Sequence, residues 1–223
     1  MGEIASAKCH WWKGNTPSQG SSAGMEEHLH LQVIVPGKLV YLGPIRRDLA
    51  PIYQRWMNDL EVSRTLTAHW RVPFTVEDEL EWFEQARRDP TRRVFTIYER
   101  PDDRPVGNAE LFGIDFAVGS AEVGIVIGER SVWGRGYATE ALTLLLDFGF
   151  TVLGLHHIWL RYYASNERAR AVYDRVGFRE VGRLRQATRI GPYRDDIVIM
   201  DILASEFQSP VLAEKLHLRH SRE

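Results

Sequence analysis

The sequence predicts an α+β fold, with a mixed but mostly antiparallel sheet of about six to seven strands flanked by helices. Strand-like runs alternate with turn-forming residues throughout 92–128. Segments with helical spacing of apolar residues lie on both sides of these runs. The expected order is a strand, two helices, three strands, a helix, a strand, a helix and two strands, and no internal repeat is visible.

The chain is expected to begin its regular structure with a strand and two helices. "KLVYLGPIR" reads as a strand, and Asp48 is expected to cap the helix "LAPIYQRWMND" that follows it. Segment 59–74 has no regular pattern. Thr75 then begins a second helix, "TVEDELEWFEQARRDP", whose first turn is acidic and whose last turn is basic.

The middle of the chain predicts an antiparallel meander. Its three strands are "RRVFTIYE", "PVGNAELFGIDF" and "SAEVGIVIG", separated by the turn formers "RPDDRP" and "AVGS". A glycine-rich turn and a helix follow.

The last part of the chain predicts a buried strand, a helix and two closing strands. "HHIWLRYY" is the buried strand, and a helix runs from Asn166 to Val176 and ends at Gly177. The two closing strands lie near 178–188 and 195–203 and flank the turn "RIGPYRDD".

Composition excludes several classes of protein. The 223 residues suit one well-buried domain, and the net charge of −2 gives no general attraction to nucleic acid or to anionic lipid. The single cysteine, Cys9, cannot form an intramolecular disulfide. No secretion signal or stretch long enough to span a bilayer is visible, so we expect a cytoplasmic protein without a membrane partner.

The domain organisation predicted from the sequence is simple. Residues 1–36 contain the Gly/Ser/Pro-rich stretch "KGNTPSQGSSAG" and are expected to form a flexible tail. Residues 37–207 form the single domain, and residues 208–223 are expected to be a C-terminal tail.

The sequence "WGRGYATEALTLLLDFGF" (133–150) indicates a ligand site. Backbone amides at the start of a helix are unpaired and favour an anion, and glycines let a phosphate approach them closely. A P-loop is excluded because Tyr137 and Ala138 stand where Lys and Ser or Thr are required. A dinucleotide fold is disfavoured because 154–165 holds no carboxylate for a ribose. The alternative interpretation of this glycine-rich segment is a plain tight turn that binds no ligand.

Two motifs together resemble the GNAT family of N-acetyltransferases. The pyrophosphate motif matches at Gly136 and Ala138, with Trp133 in place of the usual Gln or Arg. The second motif is "SNERARAVYDRVGFREVG", which contains an Asn, a Tyr and a Gly-Phe pair in the family's order. The resemblance covers about 38–207 and is strongest to the branch of ribosomal-protein N-terminal acetyltransferases (RimJ/RimL-like) and spermidine acetyltransferases.

The resemblance implies an acyl-CoA N-acyltransferase fold whose sheet is split between strands 4 and 5. Acetyl-CoA, the acyl donor, would lie in that split with its pyrophosphate at the glycine-rich turn. Asn166 would hold the cofactor or a water, or serve only as a helix cap. The implied cofactor-binding residues are Ile125, Val126, Ile127, Trp133, Gly134, Arg135, Gly136, Tyr137, Ala138, Thr139 and Asn166.

The same resemblance implies direct attack of an amine on the thioester. Tyr173 matches the family tyrosine that acts as general acid, and the alternative is a packing residue on an amphipathic helix. Glu122 and Glu110 are the candidate bases, and the alternative for each is a surface carboxylate paired with an arginine. A non-catalytic acyl-CoA-binding module on the same fold is the alternative function.

The acceptor is less well defined. The segment "EVSRTLTAHWRVPFT" offers Arg64, His69, Trp70 and Arg71, which disfavours the polycation spermidine. A peptide or protein N-terminus or a small amino compound is therefore expected, and a homodimer is left open. No metal is expected, because Cys9, His10, His28 and His30 fit no zinc spacing.

Overall fold

A seven-stranded sheet forms the centre of the computed structural model, which describes residues 32–66 and 73–218. The strands are β1 (Val40–Pro44), β2 (Arg93–Glu99), β3 (Pro105–Asp115), β4 (Ser120–Ile127), β5 (His157–Tyr163), β6 (Arg179–Ile190) and β7 (Tyr193–Leu203). They lie side by side in the order β1-β2-β3-β4-β5-β7-β6. Neighbours are antiparallel except β4 and β5, which are parallel. The predicted α+β class and antiparallel meander are confirmed.

Helices cover both faces of this sheet. They are α1 (Ala50–Asn58), α2 (Leu60–Ser63), α3 (Val76–Arg88), α4 (Tyr137–Asp147), α5 (Glu167–Val176) and α6 (Leu212–Lys215). A π-helical turn, Phe148–Val152, continues α4. The short helix α2 lies in the segment that shows no regular sequence pattern, and Asp59 caps it by accepting a hydrogen bond from the Glu61 amide.

Alternation along the strands assigns the helices to the two faces. Val123 of β4 and Leu160 of β5 point into the main hydrophobic core, to which α4 contributes Leu142 and Leu145. Residues of α5, among them Val172, pack against the same core. We call this side the α4–α5 face.

The opposite side of the sheet is covered by α1 and α3, and we call it the α1–α3 face. Tyr53 and Trp56 of α1 pack with Tyr98 of β2, and Trp82 of α3 packs against them. The Tyr53 hydroxyl lies 2.5 Å from the buried hydroxyl of Thr96, which satisfies both groups.

The predicted helix starts are right at α3 and α5 and wrong at α1. Thr75 is the N-cap of α3, as predicted, and it forms a reciprocal cap with Asp78. Asp48, however, does not cap α1, because it lies in a 3₁₀ turn and pairs with Arg46, and Leu49 is the N-cap without a side-chain bond.

The described ends of the domain reach into both predicted tails. Val35 is fully buried, and its amide donates to the carbonyl of Leu42. Near the other end, the buried carboxylate of Asp147 accepts hydrogen bonds from the amides of Val211 and Leu212. Val35 and Leu212, which fall within the predicted tails, therefore pack against the domain. The predicted tails also include residues 1–31 and 219–223, which lie outside the described part.

Candidate functional site

A split opens between β4 and β5. These strands are paired only from Ser120 to Glu122, against His157–Trp159. Beyond that point β4 stays paired with β3 as far as Ile127, and β5 stays paired with β7 as far as Tyr163. Within the described residues, the edge of β4 that faces β5 therefore has no strand partner after Glu122. This geometry agrees with the implied split between strands 4 and 5 and leaves Ile125, Val126 and Ile127 half-buried along one of its walls.

A turn with unpaired amides follows that wall. Gly134 and Gly136 have φ angles of 79° and 85°, which only glycine adopts without strain. Gly136 is the N-cap of α4 and has no side chain to bond the first amides of the helix. In the described part of the chain, no hydrogen bond is made by the amides of Gly134, Gly136, Tyr137, Ala138 and Thr139.

The same turn contains a buried polar atom without a partner. The hydroxyl oxygen of Thr139 is inaccessible and makes no hydrogen bond to any residue that the structure describes. Together with the unpaired amides and the positive end of the α4 dipole, this arrangement fits a phosphate group. The residues present therefore fit the pyrophosphate of acetyl-CoA.

Side-chain bonds fix the turn to the sheet. The Tyr137 hydroxyl donates to the buried carboxylate of Glu99 at 3.2 Å, so its side chain is directed to β2. Glu140 accepts hydrogen bonds from the amides that open β1, including that of Leu39 at 2.7 Å. A rigid turn holds its amides in place before a ligand arrives.

Trp133 stands between the end of β4 and the turn. Its Nε1 donates to the carbonyl of Ile127 at 2.9 Å. The guanidinium of Arg168, on α5, lies 4.5 Å from the centre of the indole, within cation–π range. Arg135 is exposed.

Asn166 acts as a helix cap in the structure. Its side-chain oxygen accepts from the amide of Ala169 at 3.1 Å, which is the structural alternative considered for this residue. Asn166 also lines a cavity of about 240 Å³ at the end of β5. The other residues that line it are Arg64, Thr65, Tyr163, Ser165, Glu167, Arg168 and Ile190.

That cavity joins three separate parts of the chain. They are the segment after α2, the junction of β5 with α5, and the end of the β6–β7 hairpin. The resemblance implies an acceptor pocket built from the first two predicted helices, the segment between them and the last hairpin. The cavity includes that segment and the hairpin, and its third part, the junction of β5 with α5, was not predicted. Among the residues expected there, Arg64 lies in the cavity wall, while His69, Trp70 and Arg71 lie outside the described residues.

Tyr173 lies on the α4–α5 face. Its ring packs edge-on against Tyr162 and Phe178, with centroid distances of 5.4 and 6.1 Å. Burial, and to a smaller extent the neighbouring Tyr162, raises the pKa of the Tyr173 hydroxyl to about 12. Tyr173 is therefore a neutral hydroxyl at physiological pH, and it makes no hydrogen bond within the described part of the chain.

The two candidate bases lie on the opposite, α1–α3 face of the sheet. Glu122 is buried and receives two contacts from Arg161, at 2.9 and 3.4 Å. Burial raises the pKa of the Glu122 carboxyl, and Arg161 opposes that shift. Glu110 pairs with Arg92, whose Nε lies 2.7 Å from the carboxylate. Both glutamates thus have the arginine partners of the alternative interpretation, and the structure places neither in contact with Tyr173.

Three features of this region were not predicted from the sequence. They are the Arg161 partner of Glu122, the Arg168 contact with Trp133, and Gly128, where the backbone passes against the indole of Trp56. Each depends on which residues the fold brings together. Only the Arg161–Glu122 contact has a sequence signal, since alternation along β5 places Trp159 and Arg161 on one face.

The other predictions from the sequence concern metal-binding groups and membrane-spanning helices. No group of three His, Cys, Asp or Glu side chains in the described ranges could hold a metal, and Cys9, His10, His28 and His30 fall outside those ranges. His157, at the start of β5, pairs with Asp201 at 3.1 Å. Among the described helices, none has the length and apolarity that a bilayer span requires.

Comparison with known protein families identifies one matching domain. The model of the Acetyltransferase (GNAT) domain matches residues 39–179, which contain the split, the turn, the first motif and most of the second. Spermidine N(1)-acetyltransferase of Vibrio cholerae serotype O1 is 31% identical over 155 residues, covering 69% of this chain and 88% of the relative.

Two further relatives extend this likeness. The human alpha/beta-tubulin-N-acetyltransferase 9 is 27% identical over 165 residues, covering 69% of this chain and 78% of the relative. The crystal structure of the Vibrio cholerae spermidine N-acetyltransferase in complex with CoA and spermine superposes with a TM-score of 0.69. Its sequence identity is 25%, and the match covers 75% of this chain and 97% of that one.

Proposed function

Because the chain belongs to the GNAT acetyltransferase family, we propose that it transfers the acetyl group of acetyl-CoA to a primary amine bound in the cavity at the end of β5. The observation that carries this proposal is the split between β4 and β5, which ends beside a turn of unpaired amides. When bound, acetyl-CoA supplies a thioester that a neutral amine can attack directly.

In this proposal the residues of the chain bind the cofactor and transfer protons. The turn from Gly134 to Thr139 holds the pyrophosphate, and the free edge of β4 pairs with amides of the cofactor as a missing strand would. Tyr173 would give its proton to the leaving sulfur, a role supported by its match to the family tyrosine. Its hydroxyl is protonated at neutral pH, and burial, which raises its pKa to about 12, makes it a weaker acid.

Proton removal from the acceptor is assigned to Glu122. Its position where β4 and β5 part supports this role, and its raised pKa makes the carboxylate a better base at neutral pH. The proton passes through water, since Glu122 and the acceptor cavity lie at different positions along the split. Glu110 is the alternative base.

The charges around the cavity favour an acceptor with oxygen atoms close to its amine. Arg64 and Arg168 line the wall together with Glu167, and Arg64 also pairs with Glu61 at 3.2 Å. Guanidinium groups bind carbonyl and carboxylate oxygens and repel a polycation. A peptide N-terminus or a small amino compound is therefore the proposed acceptor class.

A polyamine is the second candidate, because relatives of this chain carry the name spermidine N(1)-acetyltransferase. This observation opposes the expectation from the sequence that spermidine is disfavoured. The two acceptor classes differ in charge, so a single panel of acceptors separates them.

The test is the rate of CoA release from acetyl-CoA over a panel of polyamines, N-terminal peptides, amino acids and aminoglycosides. We expect turnover with at least one acceptor and its loss in Tyr173→Phe. Turnover with spermidine alone would overturn the proposed acceptor class. Binding of acetyl-CoA without turnover on any acceptor would overturn the proposed reaction and favour a module that only binds acyl-CoA.

A further inference from the structure

Trp133 and Arg168 belong to opposite walls of the split. Trp133 follows β4 and is tied to its last residue by the Nε1 bond to the carbonyl of Ile127. Arg168 is the second residue of α5, which follows the end of β5. Ile127 lies five residues beyond the last paired position, Glu122, about 16 Å further at the rise of an extended strand. The contact of 4.5 Å between Arg168 and the indole therefore bridges the open end of the split.

Arg168 has a positive charge that the described residues leave unneutralised. None of their carboxylates lies within ion-pair distance of it, and its guanidinium donates no side-chain hydrogen bond to them. By contrast Arg170, two residues further along α5, lies 3.5 Å from Asp174. Stacking on an indole occupies one face of a guanidinium and leaves its N–H groups, which lie in its plane, available to an anion.

In the proposed complex the nearest anion is the pyrophosphate at the glycine-rich turn. Trp133 directly precedes Gly134, where the unpaired amides begin. Backbone amides neutralise a pyrophosphate only through their dipoles, and Arg135 within the turn is exposed and directed by no contact in the described structure. A guanidinium fixed beside the turn would complete the site with a full charge.

We propose that Arg168 is the side-chain counter-ion of the cofactor pyrophosphate and that Trp133 positions it across the open end of the split. In this arrangement α5 contributes to binding the cofactor from the wall opposite the turn. Arg168 also lines the cavity at the end of β5, so the same side chain contacts Trp133 beside the turn and borders that cavity. The inference rests on the binding of CoA and not on the identity of the acceptor.

The experiment compares ligands that differ in their phosphates. Binding of CoA, 3′-dephospho-CoA and pantetheine is measured by calorimetry for wild type, Arg168→Ala and Arg175→Ala. Arg175 is the matched control because it is an exposed arginine in the last turn of the same helix. We expect Arg168→Ala to weaken both phosphate-containing ligands about tenfold and to leave pantetheine within about twofold.

The salt dependence gives an independent readout. If the guanidinium neutralises the pyrophosphate, affinity for CoA falls less steeply with added salt in Arg168→Ala than in wild type. Equal loss for pantetheine and CoA would mean that Arg168 has only a structural role and would overturn the proposal. Unchanged affinity for CoA would overturn it as well, while leaving the proposed acetyl transfer intact.

The positioning role of Trp133 is tested by coupling. Trp133→Leu removes the stacking surface, whereas Trp133→Phe keeps an aromatic face. We expect Trp133→Leu to weaken CoA binding in the wild-type background and to have little further effect in Arg168→Ala. Additive losses of the two substitutions would contradict the claim that Trp133 acts through Arg168.

Discussion

The Nε atom of Arg161 lies 2.9 Å from a carboxylate oxygen of Glu122, beside the last residues that join β4 to β5. Burial favours the neutral form of Glu122, and Arg161 favours the charged form. The balance between these two effects sets the pH at which Glu122 can accept a proton. Arg161 therefore influences the proton affinity of Glu122, the base in the proposed reaction.

Replacing Arg161 by Ala should move the pH dependence of the reaction upward. Without the guanidinium the pKa of Glu122 rises further, and since only the carboxylate can accept a proton, the rising limb of kcat/KM shifts to higher pH. The measurement is the pH profile of kcat/KM with a saturating donor. Arg92→Ala, which removes the partner of Glu110, is the matched comparison. A larger shift in Arg92→Ala would identify Glu110 as the base.

Tyr173→Phe should lower kcat about a hundredfold or more, the usual contribution of a general acid, while CoA affinity stays within about twofold. Phenylalanine keeps the ring contacts with Tyr162 and Phe178, so the fold is expected to be unchanged. Steady-state kinetics and calorimetry separate the two effects. Tyr162→Phe, which removes a hydroxyl from the neighbouring ring, serves as the control. A similar loss of kcat in both variants would mean that the effect arises from packing.

Much of this architecture is encoded by local patterns. The start of α3 at Thr75, the meander, and the cap and final glycine of α5 depend on residues close together in sequence, so the sequence predicts them. Asp48 fails as a cap because Arg46, two residues away, pairs with it instead. The contact between Trp133 and Arg168 could not be predicted, because the two residues meet only when the split brings α5 beside the turn.

Glu79→Gln should stabilise the protein at pH 8 and have little effect near pH 4. Glu79 is buried on α3, and burial, with a smaller contribution from Asp78, raises its pKa from 4.5 to about 7. The unfolded chain releases this proton near pH 4.5 but the folded chain only near 7, so stability is lost as pH rises through that range.

The expected gain at pH 8 is on the order of 2 kcal/mol, measured by urea denaturation. Glu77→Gln is the matched control, because Glu77 is exposed on the same helix and should change stability only slightly at either pH. An equal effect of Glu79→Gln at pH 4 and pH 8 would show that ionisation of Glu79 is not its cause.

Gly128→Ala should destabilise the fold by about 2 kcal/mol, because a Cβ at Gly128 would overlap the indole of Trp56, which is buried and bonded to Glu129. The strand end or the indole must then move. Gly182→Ala is the control, since open space surrounds that position. Thermal denaturation measures the stability of the two variants. Equal melting temperatures for the two variants would contradict the close approach of Gly128 and Trp56.

The short pairing of β4 with β5 has a mechanical consequence. The sheet consists of two halves, one from β1 to β4 and one from β5, β7 and β6. Only three residue pairs between β4 and β5 join the backbones of the two halves. A cofactor bound along the free edge of β4 would extend the pairing between the two halves and couple them. The donor substrate would then serve as a removable strand, so that the rigidity of the sheet rises and falls with each catalytic cycle.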